Sequence, residues 1–381
     1  MKKLEIHSKK LRYQGFVLVR VVRGKISSVW FVVKFLHSSN IATVALKQYN
    51  VGMVQNETCF ESHDKTRLYL YRWMPTAPLQ ESHYTEAEEI MPPRAVVHII
   101  HGMAEHAFRY RRLAEKLTRF GIEVWAADQR GHGKTADLNL NKPSLGGLLG
   151  HCSDGYSFAN VTQDIYAINT EIRKTVKAPV FLLGHSWGSF IAQNYIEEYA
   201  ENLLINGCIL SGTRGPGDFV IKAGLPFLTV FALLRGQRNR SNFVRSLGDG
   251  KYNKPFMPCR TQFDWLSRDE AEVDKYISDP FCGKLCSIGF YRDIARLMNN
   301  IHRKENLAKI YHHLPVYVFS GSADPVGEMG AGPTALVSIY RNLGIKDLEF
   351  VLYPGARHEL LNETNREEVM DNLLAWINKR S

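Results

Sequence analysis

The chain has 381 residues, of which 45% are apolar and 23% charged, values that exclude a disordered or fibrous protein and fit a large buried core. Six scattered cysteines form no disulfide pattern, so we expect reduced thiols and a cytoplasmic setting. Cys282 and Cys286 resemble half of a metal site, but no matching ligand pair accompanies them. We therefore expect neither a metal nor another cofactor.

The net charge of +10 is concentrated near the amino terminus. Residues 1–50 contain seven lysines and three arginines against one acid, Glu5, and the other residues are almost neutral in sum. A basic face that could hold a nucleic acid is therefore not predicted for the body of the chain.

Residues 1–52 are interpreted as a segment separate from a domain that spans residues 53–381. Its two short apolar runs are interrupted by basic residues, so no continuous membrane span is predicted. Three hypotheses remain open: a basic arm on an anionic membrane surface, a weak signal anchor, or upstream sequence with Met53 as the functional start. We favour the last because the predicted domain begins just beyond, near residue 58.

The rest of the chain alternates between predicted strands and helices, which is typical of an α/β fold with a mostly parallel sheet covered on both faces. A hairpin is predicted first, and a polar excursion over residues 76–94 follows it. The further predicted elements are strands at 95–100, 122–127, 178–183, 205–211, 315–321 and 348–353, and helices at 110–120, 158–176 and 189–196.

About one hundred residues separate the strand at 205–211 from the strand at 315–321, too many for an ordinary loop. We predict a mainly helical cap at about 213–300. Its segment 219–234 is apolar almost throughout, and we expect one or two short helices there over the mouth of a binding site. Phe227, Leu228 and Phe231 are the residues expected to line an apolar channel for an acyl chain.

Gly184-His185-Ser186-Trp187-Gly188 follows a predicted buried strand and precedes a predicted helix. In this context the pattern G-x-S-x-G predicts a nucleophile elbow, a sharp turn that exposes the serine at its apex. Ser186 is therefore the predicted nucleophile.

A serine hydroxyl is a weak nucleophile and needs a base, which in turn needs an acid to orient it. In this fold the acid and the histidine follow the serine in that order along the chain. Asp324 and His358 each come just after a predicted strand in the required order. They are the predicted acid and base.

The developing oxyanion requires backbone N–H donors. One should belong to Trp187, directly after the serine, and the other to Met103, in the loop after the strand at 95–100.

The motifs resemble those of the monoacylglycerol lipase and lysophospholipase group of α/β-hydrolases, which is related to serine aminopeptidases. The resemblance runs from about residue 55 to residue 380. The matching segments are His101-Gly102-Met103-Ala104-Glu105-His106 with Arg109-Tyr110, Asp128-Gln129-Arg130-Gly131-His132-Gly133, Leu183-Gly184-His185-Ser186-Trp187-Gly188, Ser278-Asp279-Pro280 and Ala356-Arg357-His358-Glu359. At position 187 this chain carries a tryptophan where the group usually has methionine.

The resemblance implies a lipid esterase of the monoacylglycerol lipase or lysophospholipase type, a serine hydrolase that cleaves monoacylglycerols, lysophospholipids or small acyl esters through an acyl-enzyme. Peripheral membrane contact is an expectation for such a lipid substrate. A proline-iminopeptidase-like peptidase and a non-catalytic interaction protein are the alternatives. A peptidase of that type needs an acidic cluster near the cap, but Arg260, Arg268 and Lys275 lie between or beside the five acids at 264–274. An intact serine, aspartate and histidine set argues against a non-catalytic protein. No oligomeric state is predicted.

Overall fold

The computed structural model describes residues 16–21, 30–35, 46–50, 53–76, 90–216 and 219–381. Its strands form one eleven-stranded sheet in the order β1-β2-β3-β4-β5-β7-β6-β8-β9-β10-β11. The strands are β1 (Phe16–Val21), β2 (Trp30–Phe35), β3 (Leu46–Asn50), β4 (Met53–Glu61), β5 (Arg67–Pro75), β6 (Ala95–Ile100), β7 (Ile122–Ala127), β8 (Val180–His185), β9 (Gly207–Ser211), β10 (Val316–Gly321) and β11 (Leu348–Tyr353).

Strands β6 to β11 run parallel, and β1 to β5 are added to this parallel part as an antiparallel extension beside β7. Parallel strands need crossover connections, and helices supply them. The helices are α1 (Arg111–Thr118), α2 (Gly133–Leu138), α3 (Ser157–Thr175), α4 (Trp187–Glu198), α5 (Phe219–Arg235), α6 (Asn242–Leu247), α7 (Glu270–Ser278), α8 (Ile288–Asn300), α9 (Lys304–Leu307), α10 (Ala331–Asn342) and α11 (Arg366–Asn378).

The core has two layers because successive side chains of a strand point to opposite faces of the sheet. In β6, Val96 and Ile100 join the cluster that packs against α3, α4 and α10, whereas Val97 and Ile99 join the cluster beneath α1 and α11. All six residues of β6 are buried, as the continuous apolar run predicts for a strand covered on both faces. The prediction of an α/β-hydrolase fold is thereby confirmed.

Between β9 and β10 the chain forms α5 to α9 and several short 3₁₀ turns. Helix α5 is one continuous helix of 17 residues that contains Pro226. Among the residues that the structure describes, no helix combines the length and the apolar character that crossing a membrane would require.

At the amino-terminal edge of the sheet, β3 pairs with β4 in the register Gln48↔Gln55 and Asn50↔Met53. Most of the basic residues behind the membrane-arm hypothesis lie outside the described residues, as does most of the predicted polar excursion at 76–94. The boundary at residue 53 therefore stays a prediction.

Glu197 of α4 is a buried carboxyl group whose two oxygens lack a hydrogen-bond partner among the described residues. Burial and, to a smaller extent, the neighbouring Glu198 raise the pKa of Glu197, Lys309 lowers it, and the resulting pKa is about 9. The buried hydroxyl of Tyr340 likewise has no partner within the described part of the chain. A neutral, protonated Glu197 follows from this surrounding at neutral pH.

Candidate active site

Ser186 lies between the last residue of β8 and the first residue of α4, with φ 54° and ψ −123°. This conformation is costly for a residue with a side chain, and it turns the strand sharply into the helix. Two glycines make the turn sterically feasible: a Cβ on Gly184 would overlap the carbonyl oxygen of Gly188, and a Cβ on Gly188 would overlap that of Ile100. The geometry is that of a nucleophile elbow.

His358 follows β11 and Asp324 follows β10, two neighbouring parallel strands. His358 Nδ1 lies 3.0 Å from each carboxylate oxygen of Asp324. Asp324 is fully buried, and its Oδ1 also accepts a hydrogen bond from the Val326 N–H at 2.8 Å. Because a carboxylate only accepts hydrogen bonds, Nδ1 carries the proton and Nε2 keeps its lone pair for a second partner.

The electrostatic surroundings of His358 suit a base. Burial alone would lower the pKa of His358. The charge and hydrogen bond of Asp324, together with the charges of Glu359 and Glu105, outweigh burial and raise this pKa above the ordinary value.

Ser186 and His358 line the same cleft. Among the described residues, Ser186 Oγ forms no hydrogen bond with His358, a contact that in free enzymes often tightens only when substrate binds. The structure therefore brings the three predicted residues to one site, with the histidine–aspartate contact formed.

Met103 follows the His101-Gly102 turn, which lies directly against Ser186. His101 Nε2 accepts a hydrogen bond from the Gln129 N–H at 2.9 Å, so Nδ1 carries the proton and donates to the Gly102 carbonyl at 2.8 Å. That carbonyl belongs to the same peptide unit as the Met103 N–H, which this hydrogen bond orients. Trp187 is the first residue of α4, where a backbone N–H has no intrahelical partner.

The cleft beside Ser186 encloses about 770 Å³ of empty space, including the part open to solvent. Phe227, Leu228 and Phe231 do not line it, so the structure does not place the predicted acyl channel on these side chains. The apolar lining comes instead mainly from α4, α8 and the 252–266 region of the cap. Its members are Met103, Trp187, Phe190, Tyr252, Phe263, Trp265, Leu266, Tyr276, Tyr291, Ile294 and Val326.

Phe227 and Phe231 stack on each other with ring centroids 5.7 Å apart and pack on Phe243 of α6. Leu233 and Leu234, near the carboxyl end of α5, are 80% and 78% exposed. The scarcity of charge along α5 indicated an apolar function, but it could not indicate which side of the helix would face the cleft.

His106, Asp279 and Cys282 form a group whose nitrogen, oxygen and sulfur atoms lie within 4.8 Å of one another. By position these residues could hold a metal ion. His106 Nε2 already contacts Asp279 Oδ2 directly at 2.9 Å, and burial raises the pKa of the Cys282 thiol, which disfavours the thiolate that a metal needs. The sequence analysis considered Cys282 together with Cys286 as half of a metal site, whereas in the structure Cys282 is grouped with His106 and Asp279.

Glu105, Arg109 and Glu359 surround the site without a role predicted for them from sequence. They form a buried ion-pair cluster between the Met103 loop and the His358 loop. The available signal was their place in the segments His101–Tyr110 and Ala356–Glu359, which contain the motifs that resemble a known family. The spacing alone does not show that the two segments meet.

The model of the family described as serine aminopeptidase, S33, matches residues 91–365, well over half of the chain. A monoacylglycerol lipase of Mycolicibacterium smegmatis is 28% identical over 287 residues, covering 75% of this chain and 88% of that protein. A monoglyceride lipase of Rattus norvegicus is 28% identical over 298 residues, covering 76% and 84%. A phospholipase of Bacillus subtilis is 24% identical over 287 residues, covering 75% and 96%.

Among solved structures, a thermostable carboxyl esterase from Bacillus coagulans in complex with glycerol superposes with a TM-score of 0.73 and 27% identity, over 86% of this chain and 98% of that one. A soluble variant of the Saccharomyces cerevisiae monoglyceride lipase has a TM-score of 0.63 at 23% identity, over 87% and 97%, a likeness of fold. With the elbow, the histidine–aspartate contact and the matched residues 91–365 together, the chain belongs to the serine aminopeptidase S33 family of α/β-hydrolases.

Proposed function

We propose that this protein is a serine hydrolase that cleaves carboxylic esters of lipids, with Ser186 as nucleophile, His358 as base and Asp324 as the acid that orients it. The observation that carries the proposal is the geometry around Ser186: a strained elbow that shares a cleft with a histidine whose Nδ1 is held 3.0 Å from a buried carboxylate. A purely structural serine does not require this arrangement.

In the first half-reaction Ser186 Oγ attacks the ester carbonyl carbon while its proton passes to His358 Nε2. The negative charge on the carbonyl oxygen is stabilised by the N–H groups of Met103 and Trp187. The C–O bond to the alcohol then breaks, and His358 gives its proton to the leaving alcohol. A water molecule repeats these steps on the acyl-enzyme and releases the carboxylic acid.

Lipid esters are the proposed substrate class for two reasons. Two relatives are described as acting on monoacylglycerols and a third as a phospholipase. The cleft is lined by apolar and aromatic side chains such as Phe190, Trp265 and Ile294, on which an acyl chain gains about 0.8 kcal/mol for each buried methylene.

A peptidase that recognises a free amino terminus would need unpaired acids at the cleft. The five cap acids considered from the sequence are absent from its lining. Most are engaged elsewhere: Asp269 caps α7 and pairs with Arg366, and Glu272 pairs with Arg112. These contacts favour the esterase over the aminopeptidase.

The test is replacement of Ser186 by alanine in the full chain, assayed on 1-oleoylglycerol, oleoyl lysophospholipid, p-nitrophenyl butyrate and an aminoacyl amide. We expect the unmodified protein to cleave the esters and not the amide, and the variant to lose ester cleavage and labelling by a fluorophosphonate. Amide cleavage without ester cleavage would instead identify a peptidase. Retained labelling of the alanine variant would refute the assignment of Ser186.

Contact with a membrane surface is the second part of the proposal, and α5 and α6 supply the face for it. Their exposed apolar side chains are Phe227, Val230, Leu233, Leu234, Phe243 and Leu247. Arg235, the last residue of α5, and Arg238 and Arg240 shortly after it are exposed, where they could contact lipid phosphates. An exposed apolar face bordered by cations is typical of proteins that rest on an anionic bilayer.

Replacing both Leu233 and Leu234 by aspartate should lower binding to anionic vesicles at least about tenfold, because two leucines lose their burial in lipid. Phe120→Asp is the matched control, since Phe120 is 49% exposed and precedes β7 at the amino ends of the parallel strands, opposite the cleft. Equal binding of the double variant and the control would refute membrane contact through α5.

A further inference from the structure

Arg109 joins two loops of the active site through two buried carboxylates. Its Nη1 lies 2.6 Å from Glu105 Oε2 and 2.6 Å from Glu359 Oε1, and its Nη2 lies 2.7 Å from Glu359 Oε2. The side chains of Arg109, Glu105 and Glu359 are 11%, 4% and 7% exposed, so solvent screens the cluster little. The guanidinium thus forms a two-bond fork with Glu359 and a third bond with Glu105.

The Glu105 end of the cluster holds the loop that carries Met103. Glu105 Oε1 accepts hydrogen bonds from the Gly102 N–H at 2.5 Å and from the Tyr110 hydroxyl at 2.8 Å. Gly102 directly precedes Met103, and a Cβ added to Gly102 would lie 3.2 Å from Ser186 Cβ. Movement of the Glu105 carboxylate would therefore move the peptide proposed to bind the oxyanion.

The Glu359 end holds the loop that carries His358, its immediate neighbour in sequence. The Glu359 N–H donates to the Leu266 carbonyl at 2.7 Å, and Asn362 Nδ2 donates to Glu359 Oε2 at 3.0 Å. The Arg109 guanidinium also lies 4.8 Å from the centre of the Tyr276 ring, whose hydroxyl donates to the Ala104 carbonyl at 2.9 Å. The cap and both loops therefore meet at Arg109.

Stability alone explains such a cluster poorly, because the cost of burying ions commonly cancels their attraction. Its position between the proposed oxyanion donor and the proposed base explains it better. We propose that Arg109 is a positioning residue for ester hydrolysis, which holds the Met103 loop and the His358 loop in register through Glu105 and Glu359. This inference rests on the proposed function of Ser186, His358 and Met103.

The cluster also affects the charge that His358 experiences. The groups facing His358 are Asp324 from the loop after β10, Glu359 from its own loop, Glu105 from the loop after β6 and His185 from the end of β8. The negative charge of Glu359 favours the protonated imidazole and so contributes to the raised pKa of His358. Neutralising Glu359 should accordingly lower that pKa.

The first experiment compares Arg109→Met, Arg109→Lys and the control Arg112→Met on a soluble ester. Arg112 is on the neighbouring turn, pairs with Glu272 and is absent from the Ser186 cleft. We expect Arg109→Met to lose about 100-fold in kcat with KM nearly unchanged, since misplacement of catalytic groups by about 1 Å costs that much. The kcat of Arg109→Lys should be about tenfold higher than that of Arg109→Met, because the lysine ammonium can still bridge both carboxylates although it cannot form the two-bond fork. Arg112→Met should stay near the wild-type rate.

The second experiment uses Glu359→Gln with Glu272→Gln as its control, and it decides the question even if Arg109→Met does not fold. Glu359→Gln should lower kcat about tenfold and move the acid limb of kcat/KM to lower pH, whereas Glu272→Gln should do neither. A purely structural role would lower the folded fraction without moving the acid limb.

The inference is overturned if the Arg109 and Arg112 variants lose equal activity, if the loss lies in KM, if lysine restores nothing, or if the acid limb of Glu359→Gln stays in place. Ser186→Ala is assayed beside these variants. An inactive alanine variant with a fully active Arg109→Met refutes only the positioning role, whereas an active alanine variant refutes the proposed function itself.

Discussion

Replacing Asp324 with asparagine tests whether the carboxylate is needed to keep His358 in the orientation and protonation state of a base, because the histidine itself is unchanged. His358 Nδ1 lies 3.0 Å from both carboxylate oxygens, and Oδ1 also accepts from the Val326 N–H. The side-chain oxygen of asparagine can still accept the hydrogen bond from the Val326 N–H. The amide NH₂ group then replaces the second carboxylate oxygen, and this donor faces the Nδ1–H donor of His358. The histidine is then driven towards the tautomer with its proton on Nε2, which cannot accept the proton of Ser186.

Two contributions are lost together: the correct tautomer and the buried negative charge that stabilises the imidazolium. In serine hydrolases with this arrangement the same change lowers kcat about 10⁴-fold, equivalent to about 5 kcal/mol of transition-state stabilisation. The structure supports the full effect here, because Asp324 is completely buried and water cannot replace the lost carboxylate.

The pH dependence gives a second readout. Asp324 is the main cause that raises the pKa of His358, and burial acts in the opposite direction. The wild-type rate should fall as the pH drops through this raised pKa, because the base must be neutral. In the asparagine variant the pKa of His358 should fall, so its residual activity should persist to lower pH than wild type.

The assay is steady-state hydrolysis of p-nitrophenyl butyrate from about pH 5 to pH 8, with the rate of fluorophosphonate labelling measured in parallel. Asp347→Asn is the control, since Asp347 pairs with Arg380 beside β11 and is 41% exposed. A variant at position 324 that keeps more than about a tenth of the wild-type kcat would refute the assignment of this acid.

Three further predictions concern stability, specificity and the domain boundary. Because the pKa of Glu197 is raised in the folded protein, the free energy of unfolding of the wild type should fall as the pH rises from the ordinary carboxyl range to about 9. Within that range the free energy of unfolding of Glu197→Gln, measured with urea, should increase relative to wild type by about 1.4 kcal/mol per pH unit. An advantage that does not grow with pH would contradict the buried protonated state. Trp187 lines the cleft, so Trp187→Met should leave room there for about two further methylenes of the acyl chain. Their burial should raise the ratio of kcat/KM for decanoate esters to kcat/KM for butyrate esters about tenfold. An unchanged ratio would show that Trp187 does not limit the chain length. A chain that starts at Met53 should fold and cleave soluble esters at nearly the full rate although it loses the pairing of β3 with β4; aggregation or loss of the melting transition would place the boundary earlier.

Local sequence was sufficient for the features that depend on local physics. The apolar runs of β6 and β8 predict strands buried on both faces, and they are buried throughout. The elbow at Ser186 follows from glycines on either side of a serine between a strand and a helix, because only that pattern relieves the steric overlap at the turn.

Tertiary structure decided what depends on the direction of side chains and on contacts between distant segments. The sequence of α5 is apolar on nearly every side, so its period could not show that Leu233 and Leu234 face outward while the cleft is lined from other parts of the cap. Arg109 and Glu359 are 250 positions apart, and neither the spacing nor the charge of either segment predicts their contact. Strands β8, β9 and β10 lie between β6 and β11 in the sheet, yet the segments that follow β6 and β11 meet at its carboxyl edge. A parallel sheet gathers the ends of its strands on one edge whatever their separation along the chain.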